Sequence, residues 1–142
     1  MLNIRSAEIL DVGKIAGLLK QLGYVASATL VENKIAMLAG SPNDLVLVAE
    51  KDGIVAGIIS PRTIELFHTD GRIGRITSLV IDSDQCGVGI GQLLVEAADQ
   101  FFISSGCTRA EVTSGDHRPD AHAFYQTQGY MPDERRFMKR YG

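Results

Sequence analysis

The sequence predicts an α/β (α+β) fold in one domain, with a mixed, mostly antiparallel sheet flanked by helices on both faces. Three observations carry that expectation. Strand-like and helix-like segments follow in the order β-α-α-β-β-β-α-β-α-β, which suits a sheet covered on two sides. One long β-branched segment, Arg72 to Ile81, runs through a glycine-containing turn straight into a helix pattern. The 142 residues, 45% of them hydrophobic, suffice for one domain with a real core and leave no room for a second.

Each element has its own signal. Leu2 to Ala7 alternates apolar and polar residues and reads as a strand. Asp11 is placed to cap the next segment, where Val12, Ile15, Ala16, Leu18, Leu19 and Leu22 form a helix stripe that Gly23 ends. Leu30 to Leu38 reads as a second helix, closed by Gly40-Ser41-Pro42. Leu45 to Glu50 and Ile54 to Ser60 are strands around the hairpin signal Lys51-Asp52-Gly53. Pro61 ends the regular pattern, with Thr63 to His68 as an extension beyond it, and Asp70-Gly71 is a second turn. After Arg72 to Ile81, the apolar residues Ile90, Leu93, Leu94, Ala97, Ala98 and Phe101 repeat as one helix face. That helix runs to about Ser105, before Gly106. Thr108 to Thr113 is the next strand, with Thr108, Ala110 and Val112 on one face and Arg109, Glu111 and Thr113 on the other. Ser114 to Arg118 is a loop. Pro119 opens a short helix through Phe124, Tyr125 and Gln128, Gly129 ends it, and Tyr130 to Lys139 can form a last strand.

Composition excludes several classes. A net charge of −3 argues against a dedicated nucleic-acid binder. No apolar run approaches the roughly 20 residues of a membrane span, and Met1 to Arg5 lacks a signal-peptide pattern. Two cysteines without a Cys-x-x-Cys spacing read as reduced thiols of a cytoplasmic protein. Three histidines without ligand spacing give no metal site.

The turn between strand and helix holds the chemistry. Glycines at 87, 89 and 91 leave backbone N–H groups uncovered at a helix start, where the helix dipole adds partial positive charge, so phosphate oxygens fit there. Asp82 and Asp84 are acidic, so backbone amides must do the binding. A plain tight turn is the competing reading. A P-loop would need Lys-Ser/Thr after Gly91, where Gln92 stands. A dinucleotide fingerprint would need a third glycine at Gln92 or Leu94, although Glu111 lies where a ribose-binding acid could sit.

The apolar triplet Leu79-Val80-Ile81 followed by Cys86-Gly87-Val88-Gly89-Ile90-Gly91 resembles motif A of the GNAT acyltransferase superfamily, with Cys86 at the usual Arg or Gln position. Ala121-His122-Ala123-Phe124-Tyr125-Gln126-Thr127-Gln128-Gly129-Tyr130 resembles its motif B at the family distance. With the loop Ser114 to Arg118, the chain looks closest to the aminoalkylphosphonate and small-amine N-acetyltransferases. Arg118 stands where many members have Asn, and Arg75-Ile76-Thr77-Ser78 lacks a glutamate that often serves as base.

The resemblance implies transfer of an acetyl group from acetyl-CoA to a primary amine, that of a small molecule, by direct attack in a ternary complex. Backbone groups of Leu79, Val80 and Ile81 would align the pantetheine arm. Those of Cys86, Gly87, Val88, Gly89, Ile90, Gly91 and Gln92 would hold the pyrophosphate. Such chemistry needs positioning, a proton acceptor for the amine, a donor for the oxyanion and an acid for the thiolate. Tyr125 is the candidate acid, or else a core aromatic beside Phe124. Glu111 is the candidate base, through a water, or else a carboxylate paired with Arg109 or solvated. Glu65, His68 and His117 are reserves, and His117 and Arg118 could hold an anionic group. Cys86 is either a reactive thiol at a helix start or a tolerated small residue. The alternatives are a protein N-terminal or lysine acetyltransferase and a non-catalytic acyl-CoA sensor, with a dinucleotide oxidoreductase further off. A homodimer is compatible with the family.

Overall fold

The computed structural model describes residues 1–85, 89–113, 119–133 and 136–142. Five strands form one sheet in sequence order: β1 (Leu2–Ser6), β2 (Leu47–Lys51), β3 (Ile54–Glu65), β4 (Arg72–Ile81) and β5 (Cys107–Val112). The first four pair antiparallel and β5 joins β4 in parallel, after the crossover helix. Helices α1 (Val12–Gln21) and α2 (Ala28–Ala39) precede β2, α3 (Ile90–Ser104) links β4 to β5, and α4 (Pro119–Thr127) follows.

The helices cover both faces. Val12, Ile15 and Leu18 of α1, with Val31 and Ile35 of α2, pack on Val48, Val55, Ile58 and Val80. On the opposite face Ile90, Leu94, Val95, Ala98 and Phe102 of α3 pack on Leu47, Ala49, Ala56, Ile59 and Ile76, with Phe124 of α4 at the margin. The buried stripe of α3 therefore runs through Leu94, Ala98 and Phe102 rather than Leu93 and Phe101, and Leu93 is well exposed.

Local chemistry explains the boundaries. Asp52 (φ 52°) and Gly53 (φ 84°) both take the left-handed region, as the two central residues of a type I′ hairpin turn require. Asp11 does not cap α1 with its side chain. Its carboxylate reaches back to the Glu8 N–H at 2.8 Å and pairs with both Arg5 Nη atoms at 2.8 and 2.9 Å. Helix α2 starts two residues earlier than its apolar pattern, because Ser27 accepts the Leu30 N–H.

Pro61 does not end β3. It is fully buried within the strand, at a register shift where Ser60 pairs with Ser78 but Pro61 pairs with Ile76. Thr77 is the extra residue of a β-bulge, and a proline lacking an N–H is tolerated there. The Thr77 hydroxyl donates to the Ser60 carbonyl at 2.9 Å, so the Ser60 hydroxyl, 2.7 Å from Thr77 Oγ1, must be the donor in their side-chain contact. A second shift, between Arg72 and Ile73, makes Thr108 the extra residue in β5. Cys107, not Thr108, consequently joins Ala110 and Val112 against the core.

The last expected strand is not present among the described residues of 130–142. Pro132 cannot donate to a ladder, and Met131, Phe137 and Tyr141 point into solvent. Arg136 does reach the end of β5, donating to Thr113 Oγ1 at 2.8 Å. No helix among the described residues is long and apolar enough to cross a membrane.

Candidate active site

The β4–β5 ladder runs from Arg72↔Cys107 to Ile76↔Val112 and stops. Beyond it, Thr77 to Ile81 remain bonded to β3 only, among the described residues. Successive residues of an extended strand turn their backbone groups to alternate sides, so this half of β4 offers backbone donors and acceptors along the edge that faces away from β3. Leu79 and Ile81 project to the α3 face and Val80 to the α1/α2 face.

Asp82 ends the strand. It is buried, and its carboxylate accepts from Lys14 Nζ at 3.1 Å, Gln21 Nε2 at 3.5 Å and the Asp84 N–H at 3.1 Å. The Asp84 N–H and then Lys14 hold its carboxyl below the usual range. Gln21 Oε1 accepts the Ser83 N–H at 3.0 Å, and Lys51 donates to Gln85 Oε1 at 3.1 Å. The acidic character of the turn is thus partly absorbed by α1.

Cys86, Gly87 and Val88 lie outside the described residues. Gly89 caps α3 in the left-handed region, φ 85°, with no side-chain cap. The first intrahelical bond is Leu93 N–H to Gly89 C=O at 3.2 Å. The N–H groups of Ile90, Gly91 and Gln92 precede it and have no acceptor inside the helix. A Cβ at Gly91 would stand 3.1 Å from the Phe124 ring, so the absent side chain there admits α4 rather than only a ligand.

Tyr125 and Glu111 share one open cleft of about 1330 Å³ beside β5. Tyr125 is half-buried, edge-on to Phe124 at 5.4 Å between centroids and to Tyr130 at 6.0 Å. Glu111 pairs with Arg75 rather than Arg109: Arg75 Nε donates to Glu111 Oε1 at 2.9 Å and Nη2 donates to the same oxygen. The two are direct cross-strand neighbours in the parallel ladder, which outranks the Arg109 position two residues along β5. Both bonds end on Oε1. Arg109, His122, Arg136 and Asp99 also line it.

The cofactor-binding candidates Leu79, Val80, Ile81, Gly89, Ile90, Gly91 and Gln92 do not line this cleft. Helix α4 joins the two groups, with Phe124 on Gly91 and Tyr125 facing the cleft. Glu65, exposed and paired with Arg72, and His68 lie at the β3–β4 hairpin away from it. His117 and Arg118 are outside the described residues. Among the described residues no three His, Cys, Asp or Glu side chains cluster as a metal site would require. Sequence reading had not singled out Arg136, Asp99 or Tyr130 as site residues. Tyr130 was visible as the last position of motif B, whereas Asp99 is one polar residue on a helix and carried no signal.

Comparison with known proteins gives the class. Residues 18–130 match the Acetyltransferase (GNAT) family, and the chain belongs to it. The aminoalkylphosphonate N-acetyltransferase of Salmonella typhimurium is 33% identical over 98 residues, 69% of this chain and 64% of that protein. The match thus spans under two thirds of that relative's length. Among solved structures, a transcriptional regulator from Bacillus halodurans superposes with a TM-score of 0.89 at 19% identity, covering 99% of this chain and 100% of the other. An aminoglycoside N-acetyltransferase in complex with CoA superposes with a TM-score of 0.86 at 15% identity, covering 99% and 95%. Likeness at such identity establishes the shared fold.

Proposed function

We propose that this chain is an acetyl-CoA-dependent N-acetyltransferase that acylates the primary amine of a small molecule by direct attack in a ternary complex. The observation that carries the reading is the parting of β4 from β5 after Ile76 and Val112, next to a helix start whose first N–H groups have no acceptor within the helix. An extended co-substrate with a phosphate end fits that pair of features. Backbone groups of Leu79, Val80 and Ile81 would align its pantetheine arm, and the N–H groups of Ile90, Gly91 and Gln92 would meet its pyrophosphate.

The amine nitrogen attacks the thioester carbon, and the carbon–sulfur bond breaks as the amide forms. Glu111 Oε2, through a water, takes the proton the nitrogen loses. Tyr125 gives its phenolic proton to the departing thiolate, and general acid–base assistance of this kind contributes about 10²–10⁴-fold. Arg75 holds Glu111 by one oxygen and so orients the other.

The acceptor we favour carries an anion. Arg75, Arg109 and Arg136 line the cleft together with Asp99, Glu111 and Asp133, and Arg75 is paired with Glu111. Arg109 and Arg136 are the cations we assign to a phosphonate or similar group, in keeping with the activity in the name of the Salmonella relative. Calorimetric titration with acetyl-CoA, with NADH as control, comes first, followed by an amine screen starting from aminoalkylphosphonates and polyamines. Saturable binding of acetyl-CoA alone, with turnover of an amine, is the expected result. Binding without turnover of any amine would favour an acyl-CoA sensor, and no binding would remove the reading.

A further inference from the structure

The cleft holds a titratable pair that the proposed chemistry leaves unused, Asp99 on α3 and Tyr130 just past α4. Its placement follows from how α4 ends. Gly129 takes φ 92°, its N–H bonds the Gln126 carbonyl at 3.1 Å, and the Tyr130 N–H bonds the Tyr125 carbonyl at 3.0 Å. These two bonds define a Schellman cap, in which the residue after the glycine packs on the residue five positions earlier. The Tyr125-x-x-x-Gly129-Tyr130 spacing is therefore the spacing of that cap, and it lays the Tyr130 ring edge-on against Tyr125, 6.0 Å between centroids.

The Tyr130 hydroxyl then donates to Asp99 Oδ1 at 3.3 Å. Burial pushes both groups up, the Asp99 carboxyl and the Tyr130 phenol alike, and the Asp99 charge adds to the effect on Tyr130. A phenol kept protonated remains a donor. None of the described side chains of α4 is fully buried. Phe124 rests on Gly91, and the Asp99–Tyr130 bond secures the C-terminal end.

We infer that the Asp99–Tyr130 hydrogen bond is a positioning latch for Tyr125, tying the end of α4 to α3 and fixing the ring that carries the acid. The inference rests on the assignment of Tyr125 above, so its test must separate the two. In a double-mutant cycle, Tyr130→Phe lowers kcat about five- to tenfold, the worth of one hydrogen bond, without changing KM for acetyl-CoA. In a Tyr125→Phe background the same change has no further effect on kcat. Asp99→Asn, whose carbonyl can still accept, restores most of what Asp99→Leu loses. Equal losses in both backgrounds, or an Asn variant as impaired as the Leu variant, overturn the latch. If Tyr125→Phe alone leaves kcat intact, the acid assignment fails. The latch is then read from the fluorine NMR line of 3-fluorotyrosine placed at position 125. A single line that shifts or splits in Tyr130→Phe supports it, and an unchanged line overturns it, with or without turnover.

Discussion

The two halves of β4 belong to one continuous strand and pair differently. From Arg72 to Ile76 the strand is bonded on both sides, to β3 and to β5. From Thr77 to Ile81 it is bonded to β3 alone among the described residues. The closed half is packed so tightly that Gly74 has no room for a methyl group: a Cβ there would stand 2.4 Å from the Phe102 ring. The open half begins at the Thr77 bulge, which the Ser60 and Thr77 hydroxyls brace. One half spends its backbone on the sheet, and the other has the backbone groups that the proposed function gives to the co-substrate. The bulge marks the change, because an extra residue re-aims the strand where pairing with β5 ceases.

Four experiments would break or sharpen that contrast. The largest expected effect lies beside the open half. Tyr125→Phe should cut turnover about a hundredfold, at the low end for lost acid–base assistance, with acetyl-CoA affinity unchanged by calorimetry. Undiminished turnover would take Tyr125 out of the chemistry. In the closed half, Gly74→Ala should destabilise the fold by about 1–3 kcal/mol by overpacking. Urea denaturation measures this, and a midpoint equal to the parent's would contradict the packing described here. At the helix start, Gly91→Ala keeps its N–H but presses on Phe124 at 3.1 Å. A few-fold weaker acetyl-CoA binding is expected, by analogy with mild overpacking, and tighter binding would count against the N–H groups of α3 as the phosphate site.

The smallest contrast is one that pH should erase. The carboxyl of Asp82 is held below its ordinary value of about 3.9. A depressed carboxylate contributes stability above the unfolded value and loses it as pH falls through the folded value. At neutral pH the parent should melt above Asp82→Asn, and the gap should close in acid. Melting curves at several pH values decide this, and a gap constant down to pH values below the ordinary carboxylate range would exclude the ionised clamp.

Much of this architecture was legible because local rules and tertiary packing agree. Arg72–Ile81 is bounded by turn signals at both ends and filled with β-branched residues, and its limits coincide with the strand. The Asp52-Gly53 hairpin and the glycines at 23, 106 and 129 follow from positive φ alone. What eluded sequence reading depends on register. Pro61 stays in β3 only because a bulge lies opposite. Glu111 pairs with Arg75 only because β5 aligns with β4 at that position, a fact that no spacing within β5 contains. The buried face of α3 is turned by about one residue because the sheet, not the helix, decides which side is covered. Tyr130 to Lys139 has enough apolar residues for a strand, yet its described residues form none, and Pro132 among them has no N–H to donate.

The order of the sheet has a consequence for how the chain reaches its fold. Every strand pairs with its neighbour in sequence. The joins at 52–53 and 66–71 close short loops, whereas β1–β2 and β4–β5 must close across 7–46 and 82–106. Loop closure costs more entropy as the loop lengthens, and local contacts form fastest. The meander β2–β3–β4 is therefore the favoured nucleus, and both halves of β4 are set on it together. The later docking of β5 pairs it with one half and finds the bulge already in place at the other.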